Sequence, residues 1–143
     1  MTYATLDLLV QAVGERMLIQ LTDREEQATG EVDADAVARA LADTDADING
    51  YLAGRYRLPI EGGVPAKLAS VAIAISLYKL HRFTPDDKIA KDYDRAIADL
   101  GRIASGVIRL EIEGAEPASS GAGGVETSDR DRPLTAESLR GFI

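Results

Sequence analysis

The sequence predicts an all-α protein: a small four- to five-helix bundle, with one short strand after the last long helix and a flexible C-terminal tail. Three observations carry this reading. Apolar residues recur at three- and four-residue steps through residues 33–56, 65–81 and 84–106, the spacing of one helix face. Helix-start signals precede those segments, namely Asp33, Pro65 and Thr84-Pro85. From residue 113 to residue 133 glycine, serine and proline displace the large aliphatic residues, leaving too little apolar matter to hold a core.

Taken in order, residues 5–14 place Leu6, Leu9, Val10 and Val13 on one helical face, with Thr5 as N-cap and Gly14 as stop. Residues 15–21 carry Met17, Leu18, Ile19 and Leu21 and fit a helix or a strand; the polar residues 22–31 read as a loop. Asp33 caps the next helix, whose stripe is Val37, Leu41, Thr44, Ile48, Tyr51 and Arg55, ending near residues 54–56 because Leu58-Pro59 and Gly62-Gly63 cannot continue it. Pro65 opens a helix running to about His81 that is apolar around most of its circumference, with Leu68, Val71, Ile73, Ile75, Leu77 and Leu80. Such a helix is either central in a core or covered by another subunit, and the surplus hints at oligomerisation. Thr84 is the expected N-cap of the last long helix and Pro85 its first residue, with Ile89, Tyr93, Ile97, Leu100 and Ile103 leading to Gly106. Val107 to Ile112 alternate as a short strand, which would need a partner for its edges.

The expected organisation is therefore a helical domain over residues 1–112, a flexible linker over 113–133 and a docking peptide over 134–143. In that peptide Thr135 can cap a short helix presenting Leu139 and Phe142 as apolar anchors, with Arg140 placed to pair with an acidic neighbour.

Composition narrows the function. The chain has 143 residues, 45% of them hydrophobic, no cysteine and a single histidine. That length fits one domain of roughly 100–200 residues. Disulfides, thiolate metal sites and cysteine nucleophiles are excluded. A net charge of −8 argues against gripping phosphate backbones, and an aromatic content of 5% without tryptophan argues against a base-stacking platform. The N-terminal residues have neither the basic nor the apolar region of a secretion signal, and the longest apolar stretch, residues 68–80, is shorter than the roughly 20 residues a membrane-spanning helix needs. A cytoplasmic protein without cofactor is expected.

No catalytic constellation stands out. Asp45-Ala46-Asp47-Ile48-Asn49-Gly50 matches the first half of an EF-hand loop, but Tyr56 stands where the loop needs its closing glutamate, and the segment continues a helical stripe. His81 at a helix end reads as a cation at the negative end of the dipole. The acids Glu31, Asp33 and Asp35, and Asp43, Asp45 and Asp47, sit on solvated helix ends rather than in a cleft that separates their pKa values. The glycine pairs lack the Lys-Ser/Thr of a phosphate loop. Arg55-Tyr56-Arg57 forms a small basic–aromatic knot that reads as packing against the loop or a neighbouring chain, and Tyr51, Arg55 and Tyr56 are the candidate interaction residues of the folded part.

Tyr3-Ala4-Thr5-Leu6-Asp7-Leu8, Leu18-Ile19-Gln20-Leu21-Thr22-Asp23 and the run from Asp45-Ala46-Asp47-Ile48-Asn49-Gly50-Tyr51-Leu52 through Arg55-Tyr56-Arg57-Leu58-Pro59 resemble the Mu-like phage and prophage head–tail connector family. The likeness continues through residues 74–80, 93–96 and 100–106, and the closing Leu139-Arg140-Gly141-Phe142 is similar to tails in that family. The long Gly/Ser tether departs from it. The resemblance implies a helical adaptor that assembles as a ring beneath the capsid portal, a dodecamer being one candidate count, and that contacts itself, the portal and a tail or head-closure protein. DNA would pass through its channel without sequence-specific binding, and the protein would reside in the host bacterial cytoplasm during assembly and then in the virion. The competing reading is a small acidic helical regulatory module outside any virion, including a degenerate calcium binder; a hydrolase with paired carboxylates is a remote third.

Overall fold

The computed structural model describes residues 1–24 and 27–112; the expected linker and docking peptide, with Leu139, Arg140 and Phe142, lie outside the described residues. The chain forms five helices, α1 (Leu6–Val13), α2 (Glu15–Thr22), α3 (Ala34–Leu52), α4 (Ala66–Leu80) and α5 (Asp87–Ala104). The all-α expectation holds, and residues 15–21, which fitted either state, are helical. Gly14 separates α1 from α2 by adopting φ 84°, a left-handed value that glycine reaches without a Cβ penalty.

Local chemistry explains the boundaries. Thr5 and Asp33 cap α1 and α3 as their positions predict, each side-chain oxygen accepting amide hydrogens of the first turn. At α5 the expected start shifts: Asp86, not Thr84, is the cap, its carboxylate accepting from Ile89 N at 2.9 Å, and Pro85 lies outside the helix. A carboxylate two residues closer to the first turn reaches the free amides that Thr84 cannot. Helix α3 stops at Leu52, where the carbonyl accepts from both Arg55 N and Tyr56 N in a closing turn.

The expected strand at residues 107–112 does not form. Its alternation is one of burial: Val107, Arg109 and Glu111 face out while Ile108, Leu110 and Ile112 turn inward. Its amides find other partners, Ile108 N donating to Arg102 O, Leu110 N to the Tyr56 hydroxyl and Ile112 N to Leu110 O. A period of two marks an extended chain laid over a core as readily as it marks a sheet.

Helix α4 is the centre of the molecule. It packs on α3, α5 and α1, and Leu68, Val71, Ala72, Ile75, Leu77 and Leu80 are all buried. Packing within the subunit covers most of its circumference, while Ala66, Lys67 and Ser70 stay exposed and Ile73 and Ala74 half-buried along one side. Thr44 and Ser76 meet across the α3–α4 contact at 3.0 Å, with Thr44 Oγ1 donating in turn to Ala40 O; both hydroxyls are buried and satisfied, as burial of polar groups requires. Lys67–Asp99 and the stacked Tyr78–Tyr93 pair, ring centroids 4.0 Å apart, set α4 and α5 antiparallel.

Truncating the centre should be costly. Ile75→Ala, at a fully buried position, is expected to lower stability by roughly 2–5 kcal/mol. Gly106→Ala, at φ 81° with Arg55 against the added carbon, is expected to cost about 1–2 kcal/mol. Urea denaturation followed by circular dichroism checks both.

Candidate functional site

The antiparallel arrangement of α3, α4 and α5 gives the bundle two chemically different ends. One end gathers the start of α3, the C-terminal ends of α2 and α4 and the α4–α5 link. Helix C-termini carry partial negative charge and free carbonyls, and cations have collected there. The Arg24 guanidinium donates to Leu21 O and Leu80 O, tying the ends of α2 and α4 together. His81 Nδ1 lies 2.8 Å from Leu77 O, the capping role its position predicts. Arg39, Arg24 and Lys79 line one pocket of this end with Asp43, and Arg24, His81, Arg82 and Phe83 line an adjoining one with Asp23. Asp23 is already held by Thr29 N, Gly30 N and the Thr29 hydroxyl, and these backbone hydrogen bonds keep its carboxyl below the ordinary value. Phe83, on the link, is 83% exposed.

The other end gathers the C-termini of α3 and α5 and the start of α4. Here the candidate residues separate. Tyr51 is outward-facing at 38% exposure. The Arg55 guanidinium packs where a Gly106 side chain would stand, and Tyr56 is 3% exposed, its hydroxyl accepting from Leu110 N at 3.2 Å. Arg55 and Tyr56 therefore fasten the segment after α5 onto the end of α3, and of the three only Tyr51 offers its ring to a partner. Beside them Glu61, Gly62, Gly63, Val64, Pro65, Glu111 and Ile112 enclose a cleft of about 470 Å³.

The acidic segment of α3 is divided by the helix. Asp45 accepts the backbone N–H of Tyr3 at 2.9 Å, and Asn49 accepts the Tyr3 hydroxyl at 2.6 Å. Burial, with the Asp45 charge second, pushes that hydroxyl above its ordinary pKa. Asp47 pairs with Lys79 at 2.7 Å. Oxygens that a calcium loop would bring to one point are sent to different neighbours, and among the described residues no group of three or more His, Asp or Glu could hold a metal ion. The residues that sequence reasoning missed are Phe83 and Val107, the latter 76% exposed; a lone aromatic between two helix signals, Arg82-Phe83-Thr84, was the available signal for the first.

A shallow groove of about 320 Å³ runs between α4 and α5. Its rim holds Asp99, 6% exposed, bonded to Lys67 and, at 3.2 Å, to Arg102. The Lys67 ammonium holds the Asp99 carboxyl below its usual value against the upward pull of burial, with the Arg102 charge adding to it.

The family model described as Bacteriophage Mu, Gp36 matches residues 3–128. "Gene product J" of Escherichia phage Mu is 29% identical over 143 residues, covering all of both chains. "Mu-like prophage FluMu protein gp36" of Haemophilus influenzae is 28% identical over 141 residues, 99% of this chain and 98% of its own.

Because Asp99 has a depressed folded-state pKa, its contribution is full above the unfolded carboxylate range and is lost as pH falls through the folded value. Asp99→Asn should lower the urea midpoint at neutral pH and flatten its decline below about pH 4; an unchanged acid profile would contradict the assignment.

Proposed function

The chain belongs to the bacteriophage Mu Gp36 family, and from that membership we propose that it is a structural component of a phage or prophage particle, a head–tail connector. In this reading copies form a ring beneath the portal, extend the DNA channel and give the tail or a head-closure protein its platform. The observation that carries the reading is that the likeness to phage Mu gene product J runs the whole length of both chains. A connector acts through shape and surfaces spread over the chain, so similarity that is not confined to one motif is what such a role calls for.

The physical features agree. A net charge of −8 suits a channel wall past which DNA must slide, since acidic surfaces repel phosphates. No described helix is long and apolar enough to cross a membrane. The segment from Asp45 to Pro59, which resembles head–tail connectors, receives Tyr3 and Leu110 through Asp45, Asn49 and Tyr56, so the likeness resides in contacts that define the fold. The residues 134–143 would supply a tethered peptide, with Leu139 and Phe142 anchoring on the portal or the next ring component and Arg140 pairing with an acid there.

Two outcomes are expected. Inactivating the gene in an inducible prophage should leave heads and tails that electron microscopy shows unjoined; normally joined infectious particles would end the proposal. Removing residues 134–143 should preserve the helical circular dichroism spectrum while weakening co-purification with the portal about tenfold or more.

A further inference from the structure

We infer that the groove between α4 and α5 is a docking surface for this chain's own residues 134–143, Leu139 and Phe142 seating over Val71, Ala74 and Leu77 of the same subunit. The inference concerns a single copy and stands apart from the connector reading; where that reading holds, the segment reaches the portal only after leaving the groove.

The groove is shaped to receive apolar side chains. Val71, Ala74, Leu77, Ile89 and Ala96 line it, with Val13 from the end of α1, over about 320 Å³. Ile73 and Ala74 are only half-buried there, although they belong to the helix at the centre of the molecule. The polar groups of the rim are matched with one another, Lys67 with Asp99 and Lys88 with Asp92. They are therefore not aimed inward to orient a small polar ligand, as a small-molecule site requires. A rim of both signs does not collect phosphates either. An apolar floor between two helices, bordered by charge, is a receptacle for the apolar face of a peptide.

Sequence and reach select the occupant. Between residues 113 and 133 Val125 is the single large aliphatic residue, whereas Leu134, Leu139, Phe142 and Ile143 crowd the ten residues that follow. Leu139, Phe142 and Ile143 stand three and four apart, the spacing of one helix face laid into a groove. Arg140 beside them has an acid at the groove's edge in Asp92, whose side chain is 37% exposed. The last described residue, Ile112, shares a cleft with Pro65, and Lys67, two residues on, stands on the rim of the groove. Residues 113–133, 21 in number, join Ile112 to the segment. A chain of that length rich in glycine and serine spans about 25 Å root-mean-square, and α4 with its 15 residues is about 22 Å long. The chain's own groove is thus within reach along its whole length, at an effective concentration of the order of millimolar, which a second copy in dilute solution does not match.

The chain has no cysteine, so a nitroxide attached to Gly141→Cys in the full chain reads the contact through paramagnetic broadening of amide NMR signals. The amides of Val71, Ala74, Leu77, Ile89 and Asp92 should lose most of their intensity, while those of Ala38 and Ala42, exposed on α3, keep theirs. Two further substitutions, each confirmed folded by circular dichroism, should restore the intensities to those of the reduced, diamagnetic sample: Phe142→Ser, which removes an anchor outside the helical domain, and Ala74→Arg, which fills the groove. No broadening, broadening that survives Phe142→Ser, or broadening centred on the Glu61/Glu111 cleft would overturn the inference. So would equal broadening in a mixture of spin-labelled, unenriched chain with unlabelled, isotope-enriched chain, because that result assigns the segment to a second copy. None of these results bears on the joined-particle test, so the connector reading stands or falls separately.

Discussion

Most of this fold follows from the need to cover the apolar circumference of α4. Its sequence from Ala66 to Leu80 confines exposed groups to the side of Lys67 and Ser70, so three other helices are placed around the rest of it by its own chemistry. Helices α3 and α5 are long and one-sided, α5 strongly so, and supply complementary faces; α1 closes the remaining flank. The few polar groups that enter this contact are matched in pairs, Ser76 with Thr44 and Lys67 with Asp99. Matched pairs of this kind fix which residues face one another, because a slip of one position would strand a buried hydroxyl or carboxylate.

A centre enclosed over most of its surface has a consequence for what the molecule leaves exposed. Once the flanks of α4 are occupied, large apolar side chains remain exposed among the described residues only at Met1, Tyr51, Phe83 and Val107. Helix C-termini stand at both ends of the bundle: those of α2 and α4 at one, where Arg24 and His81 meet the carbonyls of Leu21, Leu80 and Leu77, and those of α3 and α5 at the other, beside the cleft lined by Glu61 and Glu111.

The family relationship acquires a physical meaning in the same terms. The segment from Asp45 through Pro59 falls within the residues that the Gp36 family model matches. Its Asp45 and Asn49 hold the N-terminal Tyr3, and its Tyr56 holds Leu110. Two stretches distant in sequence are thereby locked onto α3 and the turn that follows it, and the segment fixes where residues 3 and 110 lie relative to each other.

Capping oxygens and periodicity were legible without coordinates. Thr5, Asp33, the stop at Gly14 and the stripes of α3 and α5 are local: each depends on a side chain meeting a backbone group within one turn, and the sequence alone specifies that. The fate of residues 107–112 was not legible, because their alternation is the same whether neighbouring backbone or a buried tyrosine hydroxyl takes the amides. Nor was the closeness of the α3–α4 contact, since that depends on how Ala40, Thr44 and Ser76 let two helices approach. Local rules thus determined which segments are helices and that the chain is all-α; long-range packing decided that Tyr56 is inside and Phe83 outside, because burial is a property of what arrives from elsewhere in the chain.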